Sequence, residues 1–273
     1  MTDVEGRAAF ITGGANGIGL GMARVLARAG AKLALADRDT EALARARSEL
    51  EALTSIETYD LDVRDRAAFA AVADAAEDRL GPVSLLFNNA GVIVTETVAK
   101  LNYALWDFAI GINLHGVING IQTFVPRMIA RGAGGHVVNT SSGSGLAAGG
   151  SGTLYATAKF AVVGMSESLC GELASSGIGV SLLCPGPVAT GIVHRSMEDA
   201  PNGAVKLSPE QEQRRWTQRE AIHKVLQKST DPDDVGEMVL RAIRNNDLYI
   251  HTDRTMEPAI IARTEALLRA MPD

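Results

Sequence analysis

The sequence predicts an α/β fold, a doubly wound parallel β-sheet with helices on both faces. Three observations carry that prediction. Short apolar runs alternate with longer amphipathic ones along the 273 residues. Several of the short runs, such as those at 7–12 and 32–37, hold consecutive apolar residues, as strands buried on both faces require. The first run also leads straight into a glycine-rich turn and a helix, the start of a strand–helix–strand unit.

The elements follow in order. Residues 7–12 read as the first strand and 17–30 as a helix ended near Gly30. Residues 32–37 form the next strand, and a helix runs from Thr40, the expected N-cap, to about Leu53. Strands at 56–62 and 83–88 flank an Ala-rich helix that starts near Asp65 and stops at Gly81-Pro82. A long helix is expected from about Tyr103 to Arg131, distorted around Pro126. Then come a strand at 135–141, a helix at 153–176 and a strand at 179–185. Residues 191–230 break the alternation: the stretch is charged, irregular and helical in part, an insertion that reads as a cover. A last strand at 247–252 and a closing helix from about Glu257 complete one domain over 1–273.

Composition narrows the function. The net charge of −6, with basic residues scattered, argues against nucleic-acid and anionic-membrane partners. No uninterrupted apolar run approaches membrane-spanning length. The start, "MTDVEGRAAFITGG", shows neither a basic nor a long apolar leader region, so a cytoplasmic protein is expected. Cys170 and Cys184 read as buried free thiols, and the dispersed histidines suggest no metal site.

The turn "ITGGANGIGLGMA" (11–23) carries the first chemistry. Gly13, Gly17 and Gly19, with Asn16 and Ile18 between them, let the backbone approach a ligand closely. The helix behind them aims free N–H groups and its positive dipole end at the gap, which suits a phosphate. Asp37 ends the second strand, where a carboxylate accepts hydrogen bonds from an adenosine ribose. It would repel a 2′-phosphate, and Ala15 supplies no basic side chain in the turn. NAD is therefore expected over NADP, with Arg38 as the residue that pulls the other way.

The second chemistry sits in "SGTLYATAKFAV" (151–162). Tyr155 and Lys159 are one helical turn apart and share a face. The surrounding Ala, Phe, Val and Gly read as a buried, closely packed helix, where a lysine needs a reason.

These segments, with "DLDV" (60–63), "NNAG" (88–91), Asn113 in "GINLHG", Ser142 in "NTSSGSG" and "PGPVAT" (185–190), resemble the short-chain dehydrogenase/reductase family over nearly the whole chain. The resemblance implies a seven-stranded Rossmann-like sheet of order 3-2-1-4-5-6-7 with the cofactor across the strands' carboxyl ends. It implies adenine contacts from Asp62 and Val63, and a segment along the cofactor from Asn89, Ala90 and Gly91. It also implies nicotinamide-side contacts from Pro185, Gly186, Val188 and Thr190. Placed by the resemblance beside the nicotinamide, Tyr155 becomes the general acid/base and Lys159 the partner of the nicotinamide ribose. A free tyrosine titrates near 10, and lowering that to about 7 takes roughly 4 kcal/mol of preferential phenolate stabilisation. The Lys159 ammonium, aided by an oxidised nicotinamide's charge, is expected to supply it. Ser142, chosen over Ser141 by the family spacing, holds the substrate oxygen, and Asn113 holds a water linking Lys159 to solvent. Residues 113–132 and 245–252 are similar to the bacterial subgroup containing Cα-dehydrogenases of lignin-type aryl alcohols.

The leading expectation is an NAD-dependent secondary-alcohol dehydrogenase or ketone reductase, its small-molecule substrate an aryl-alkyl alcohol. A 3-oxoacyl or other aliphatic ketone reductase is the alternative, and a non-catalytic NAD-binding module the rival from another class. Ser144, Leu146, Val94, His194, Met197 and Trp216 are expected to line the substrate pocket. Phe108, Ile112, Phe124, Phe160, Val163 and Met165 are expected to pair subunits, in a homotetramer or else a dimer.

Overall fold

Seven parallel strands form one sheet in the order β3-β2-β1-β4-β5-β6-β7 in a computed structural model that describes residues 2–148, 150, 152–201 and 208–272. The strands are β1 (Ala8–Thr12), β2 (Lys32–Asp37), β3 (Ile56–Asp60), β4 (Val83–Asn88), β5 (Gly135–Thr140), β6 (Ile178–Cys184) and β7 (Tyr249–His251). Every residue of β1 and β5 is buried, the polar His136, Asn139 and Thr140 of β5 included.

The helices alternate with them: α1 (Gly17–Arg28), α2 (Thr40–Leu50), α3 (Arg66–Leu80), α4 (Tyr103–Ile110) and α5 (Gly116–Arg131), then α6 (Thr153–Leu173), α7 (Ile192–Asp199), α8 (Pro209–Leu226), α9 (Pro232–Asn245) and α10 (Glu257–Arg269). One apolar core lies under α3 to α6 around Phe10, Phe69 and Phe124. The other lies under α1, α2 and α9 around Met22, Leu35 and Ile243. Crossovers that place helices on both faces leave the loops at the strands' carboxyl ends free to form a trench.

Several expectations change. Asp39, not Thr40, caps α2, accepting the Ala42 N–H at 2.8 Å. β3 and β7 are shorter than expected. The helical run Tyr103–Arg131 is long and apolar enough to cross a membrane by length and composition, although polar residues such as Asp107 and Asn113 interrupt it, and most of it is buried in the fold. Its irregularity is a π-helical turn at Gly111–His115 rather than a break at Pro126. Pro126 and Gln122, whose carbonyl the proline leaves without its helical partner, both lie on the exposed side of α5.

Helix α9 was not anticipated. It packs against α1 so closely that a Cβ on Gly21 would run into Pro232. Of the six residues expected to join subunits, Phe108, Ile112, Phe124 and Val163 are buried within the chain itself. Cys184 is buried as expected, Cys170 only partly, and both are free. The inserted segment leaves and returns at a neck where Val188 bridges to Thr230 and the Ala189 N–H bonds the Thr230 carbonyl at 2.9 Å.

Candidate active site

The trench at the carboxyl ends of the strands encloses a cavity of about 370 Å³. Its outer end begins at the glycine turn. Gly13 and Gly17 have φ of +63° and +51°, the left-handed region that disfavours other residues. Gly19 does not line the cavity; a Cβ there would run into the Gly13 carbonyl, so this glycine shapes the turn. Asn16 precedes α1 without a side-chain hydrogen bond to its first turn. The helix therefore presents uncapped N–H groups beside the cavity that Gly13, Asn16, Gly17 and Ile18 line, and an anion would satisfy them.

Asp37 closes this end. Its carboxylate accepts the Ala15 and Asp39 N–H groups, each at 3.2 Å, so it also pins the glycine turn. Burial pushes its pKa up, against the pull of those backbone hydrogen bonds. Arg38 lies 4.0 Å from Asp62 and 3.8 Å from Asp199, held between two carboxylates. Asp62 in turn binds Arg64 at 2.6 Å, which keeps its pKa below the usual range. Val63, Asn89, Ala90 and Gly91 continue the wall as expected. Asn89 ties the wall to β1, donating to the carbonyls of Thr12 and Gly13 at 3.1 and 3.2 Å.

The inner end gathers Asn113, Tyr155 and Lys159 on the cavity wall. The π-helical turn points Asn113 at Val92: its Oδ1 accepts the Val92 N–H at 3.1 Å and its Nδ2 donates to the Val92 carbonyl at 3.0 Å. Lys159 is 3% exposed, and its Nζ donates to the Thr140 carbonyl at 3.0 Å. Asn113 Oδ1 and Lys159 Nζ flank one point, 3.0 and 3.6 Å from where a Cβ on Gly91 would stand. Glycine is needed there to leave the space open.

Ser142 does not line the cavity, contrary to expectation, whereas Ser141 does; Ser142 is near enough to the Tyr155 phenol to pull its pKa down. Ser141, its rival, donates to the Lys159 carbonyl at 2.8 Å and is committed to holding α6. The electrostatics depart from expectation. Burial raises the Tyr155 pKa, with Ser142 pulling it back, and burial lowers Lys159 to about 8. Within the chain alone the lysine does not bring the phenol down.

Other expected residues lie elsewhere. Pro185 and Thr190 line the cavity, whereas Val188 is buried against the α1 and α9 core. Gly186 faces Asp253, its N–H bonding the Thr252 hydroxyl at 2.9 Å. Val94 is buried in the core, and Leu146 packs against it. Ser144 does not line the cavity; its N–H donates to the Ser142 hydroxyl at 3.2 Å. His194 packs 4.3 Å from the His223 ring and 5.7 Å from that of Trp216, in a cluster between α7 and α8 off the cavity wall. Trp216 is itself 51% exposed, and the Met197 side chain lies outside the described residues. The sequence reading missed Thr140, whose carbonyl holds Lys159, and the α7 residues Ile192, Arg195, Ser196 and Asp199 on the outer wall.

This trench belongs to a known kind of enzyme. The chain is a member of the short-chain dehydrogenase family, whose model matches residues 7–201. It is 38% identical over 253 residues to a C alpha-dehydrogenase of Sphingobium sp., covering 92% of this chain and 81% of that protein. It is 34% identical to 3beta-hydroxysteroid dehydrogenase 2 of Eggerthella lenta, covering 75% of this chain and 80% of that one. A short-chain dehydrogenase/reductase from Burkholderia phymatum, solved with NAD, superposes with a TM-score of 0.90 at 32% identity, over 100% of this chain and 98% of the other. The protein is an oxidoreductase of this family, acting on CH–OH groups with a nicotinamide dinucleotide.

Proposed function

We propose that the protein interconverts a secondary alcohol and its ketone with NAD, using Tyr155 as general acid and base. One observation carries this reading: Asn113, Tyr155 and Lys159 line the inner end of a trench whose outer end suits a diphosphate, with Ser142 near Tyr155. Gly13, Asn16, Gly17 and Ile18 would hold the diphosphate, Asp37 the adenosine ribose and Lys159 the nicotinamide ribose. The dinucleotide supplies the hydride acceptor or donor.

The chain's residues do the rest. Tyr155 takes the alcohol proton during oxidation and returns it during reduction. Ser142 orients the substrate oxygen and stabilises the phenolate by hydrogen bonding. Lys159, held by Thr140, sets a positive charge beside the ring when protonated. Asn113 braces the Val92 backbone and positions water near Lys159.

The cofactor preference rests on Asp37 at the end of β2 and on Arg38, whose guanidinium faces Asp62 and Asp199 and is thus shielded from a 2′-phosphate. The substrate is proposed to be an aryl-alkyl alcohol, on the likeness to the C alpha-dehydrogenase. Absorbance at 340 nm with aryl, acyl and terpenoid alcohols and ketones, with both dinucleotides, tests these assignments. Aryl-alkyl turnover with NAD is expected; NAD binding with no turnover of any compound would defeat the enzymatic reading.

A homotetramer is proposed, with a dimer second. Helix α10 buries none of its residues and exposes Ile261, Leu267 and Leu268, and Tyr249 on the edge strand β7 is also exposed. Light scattering at micromolar concentration is expected to show an assembly, and a stable monomer would refute it.

A further inference from the structure

Helix α7 forms the outer wall of the trench and is fastened across it. Its Ser196 hydroxyl, 2% exposed, accepts the Ile93 N–H at 2.9 Å, tying the helix to the loop after β4. One residue earlier, Arg195 turns toward the glycine loop. Its Nη2 lies 3.6 Å from the position of a Cβ on Gly17, the first residue of α1, and its Nη1 lies 3.0 Å from that on Gly191. Its charge also reaches the Asp37 carboxylate.

A guanidinium therefore lies beside the uncapped N-terminus of α1, on the wall of the cavity that both line. Two positive ends set side by side favour an anion that both can bind. A diphosphate diester fits: it carries two negative charges and several acceptor oxygens for planar N–H donors and backbone amides. We propose that Arg195 is the cover-side half of the diphosphate site, so that dinucleotide binding fastens α7 and, through Ser196, the wall near the substrate. This proposal rests on the dinucleotide reading of the trench.

The test compares the full-length wild type with Arg195→Gln and Arg195→Lys. ADP-ribose is the probe, because it has the diphosphate and no nicotinamide; adenosine, which has no phosphate, is the control. By calorimetry, Arg195→Gln should bind ADP-ribose about tenfold or more weakly. Arg195→Lys should recover part of the loss, and adenosine binding should not change. Saturating ADP-ribose should slow chymotryptic cleavage at Trp216 in the wild type and much less in Arg195→Gln. Equal ADP-ribose affinity in wild type and Arg195→Gln would overturn the proposed contact. Weaker binding with undiminished protection at saturation would overturn the coupling of α7 to the cofactor. A wild type that binds neither ADP-ribose nor either dinucleotide would instead refute the reading of the trench.

Discussion

Lys159 Nζ stands 5.7 Å from the centre of the Tyr155 ring and donates to the Thr140 carbonyl. The four-residue spacing on α6 stacks the two side chains, and the end of β5 fixes the direction of the amine. Burial works against both charged forms: it lifts the phenol and brings the amine down to about 8. The catalytic assignment therefore depends on charge arriving with the dinucleotide, and this gives the pair testable behaviour.

Tyr155→Phe keeps the ring and removes the proton acceptor. Turnover should fall at least about 10²-fold, while dinucleotide affinity by calorimetry stays near the wild-type value. Ser142→Ala should lower kcat and shift the alkaline rise of the oxidation rate to higher pH, because Ser142 pulls the phenol's pKa down. A Tyr155→Phe enzyme with most of its activity would remove tyrosine from the mechanism.

Lys159→Met should abolish turnover and stabilise the fold. Lowering the amine from 10.5 to about 8 disfavours the buried ammonium by about 3 kcal/mol at neutral pH. That figure is a ceiling, since Met gives up the bond to Thr140. Between pH 8 and 10.5 the folded chain binds fewer protons at this site than the unfolded chain, so wild-type stability rises with pH there. The variant's advantage should be complete below about 8 and vanish toward 10.5. Thermal melts of both proteins at pH 7 and pH 10, without dinucleotide, measure it. A variant less stable at both would mean the ammonium is well accommodated.

The glycine turn, Asp37, and the Tyr155–Lys159 pair were legible because each is a local pattern whose chemistry depends on near neighbours. The signals for α9 were present too: Asp231 caps it, accepting the Asp233 N–H at 2.8 Å, and Pro232 opens it. The adjoining charged insertion obscured them. The π-helical turn was illegible, because Asn113 is tied to Val92, twenty-one positions away. Arg195 was hidden for a similar reason: within the charged stretch 191–230 nothing local singles it out until the fold sets it beside Gly17. Four of the six residues expected at subunit contacts are covered within the chain, because apolar side chains on a helix do not reveal whether sheet, neighbouring helix or partner covers them.

Asp37→Ala tests cofactor choice and turn geometry together. The wild type should favour NAD over NADP in kcat/KM, and the variant should narrow that ratio about tenfold. Asp37→Asn keeps an acceptor for the Ala15 or Asp39 N–H and removes the charge, so it should narrow the ratio with less loss of stability. A wild-type preference for NADP would show that Arg38 governs the adenosine end despite Asp62 and Asp199.

His136 sets the acid limit of the fold. It lies in β5, fully buried, with its Nε2 2.9 Å from the Ser181 hydroxyl. Ser181 uses its one proton on the Asp247 carbonyl at 2.6 Å, so His136 must donate from Nε2 and leave Nδ1 bare. Nδ1 is buried without a hydrogen-bond partner and faces Gly179, where a Cβ would collide with it. Protonating Nδ1 would bury a charge with no acceptor, and desolvation lowers the pKa from 6.5 to about 4. Between those values the folded chain binds fewer protons at His136 than the unfolded chain, so stability falls as pH drops through the window. The loss attributable to this ring approaches about 3 kcal/mol when pH reaches the lower value. His136→Gln retains a donor toward Ser181 and cannot titrate. It should be less stable than the wild type at pH 7 through imperfect packing, yet lose less stability on acidification. Urea midpoints for both proteins at pH 7, 6, 5 and 4.5 measure the two slopes. Parallel slopes would mean that the ring finds an acceptor when protonated and that acid lability arises elsewhere.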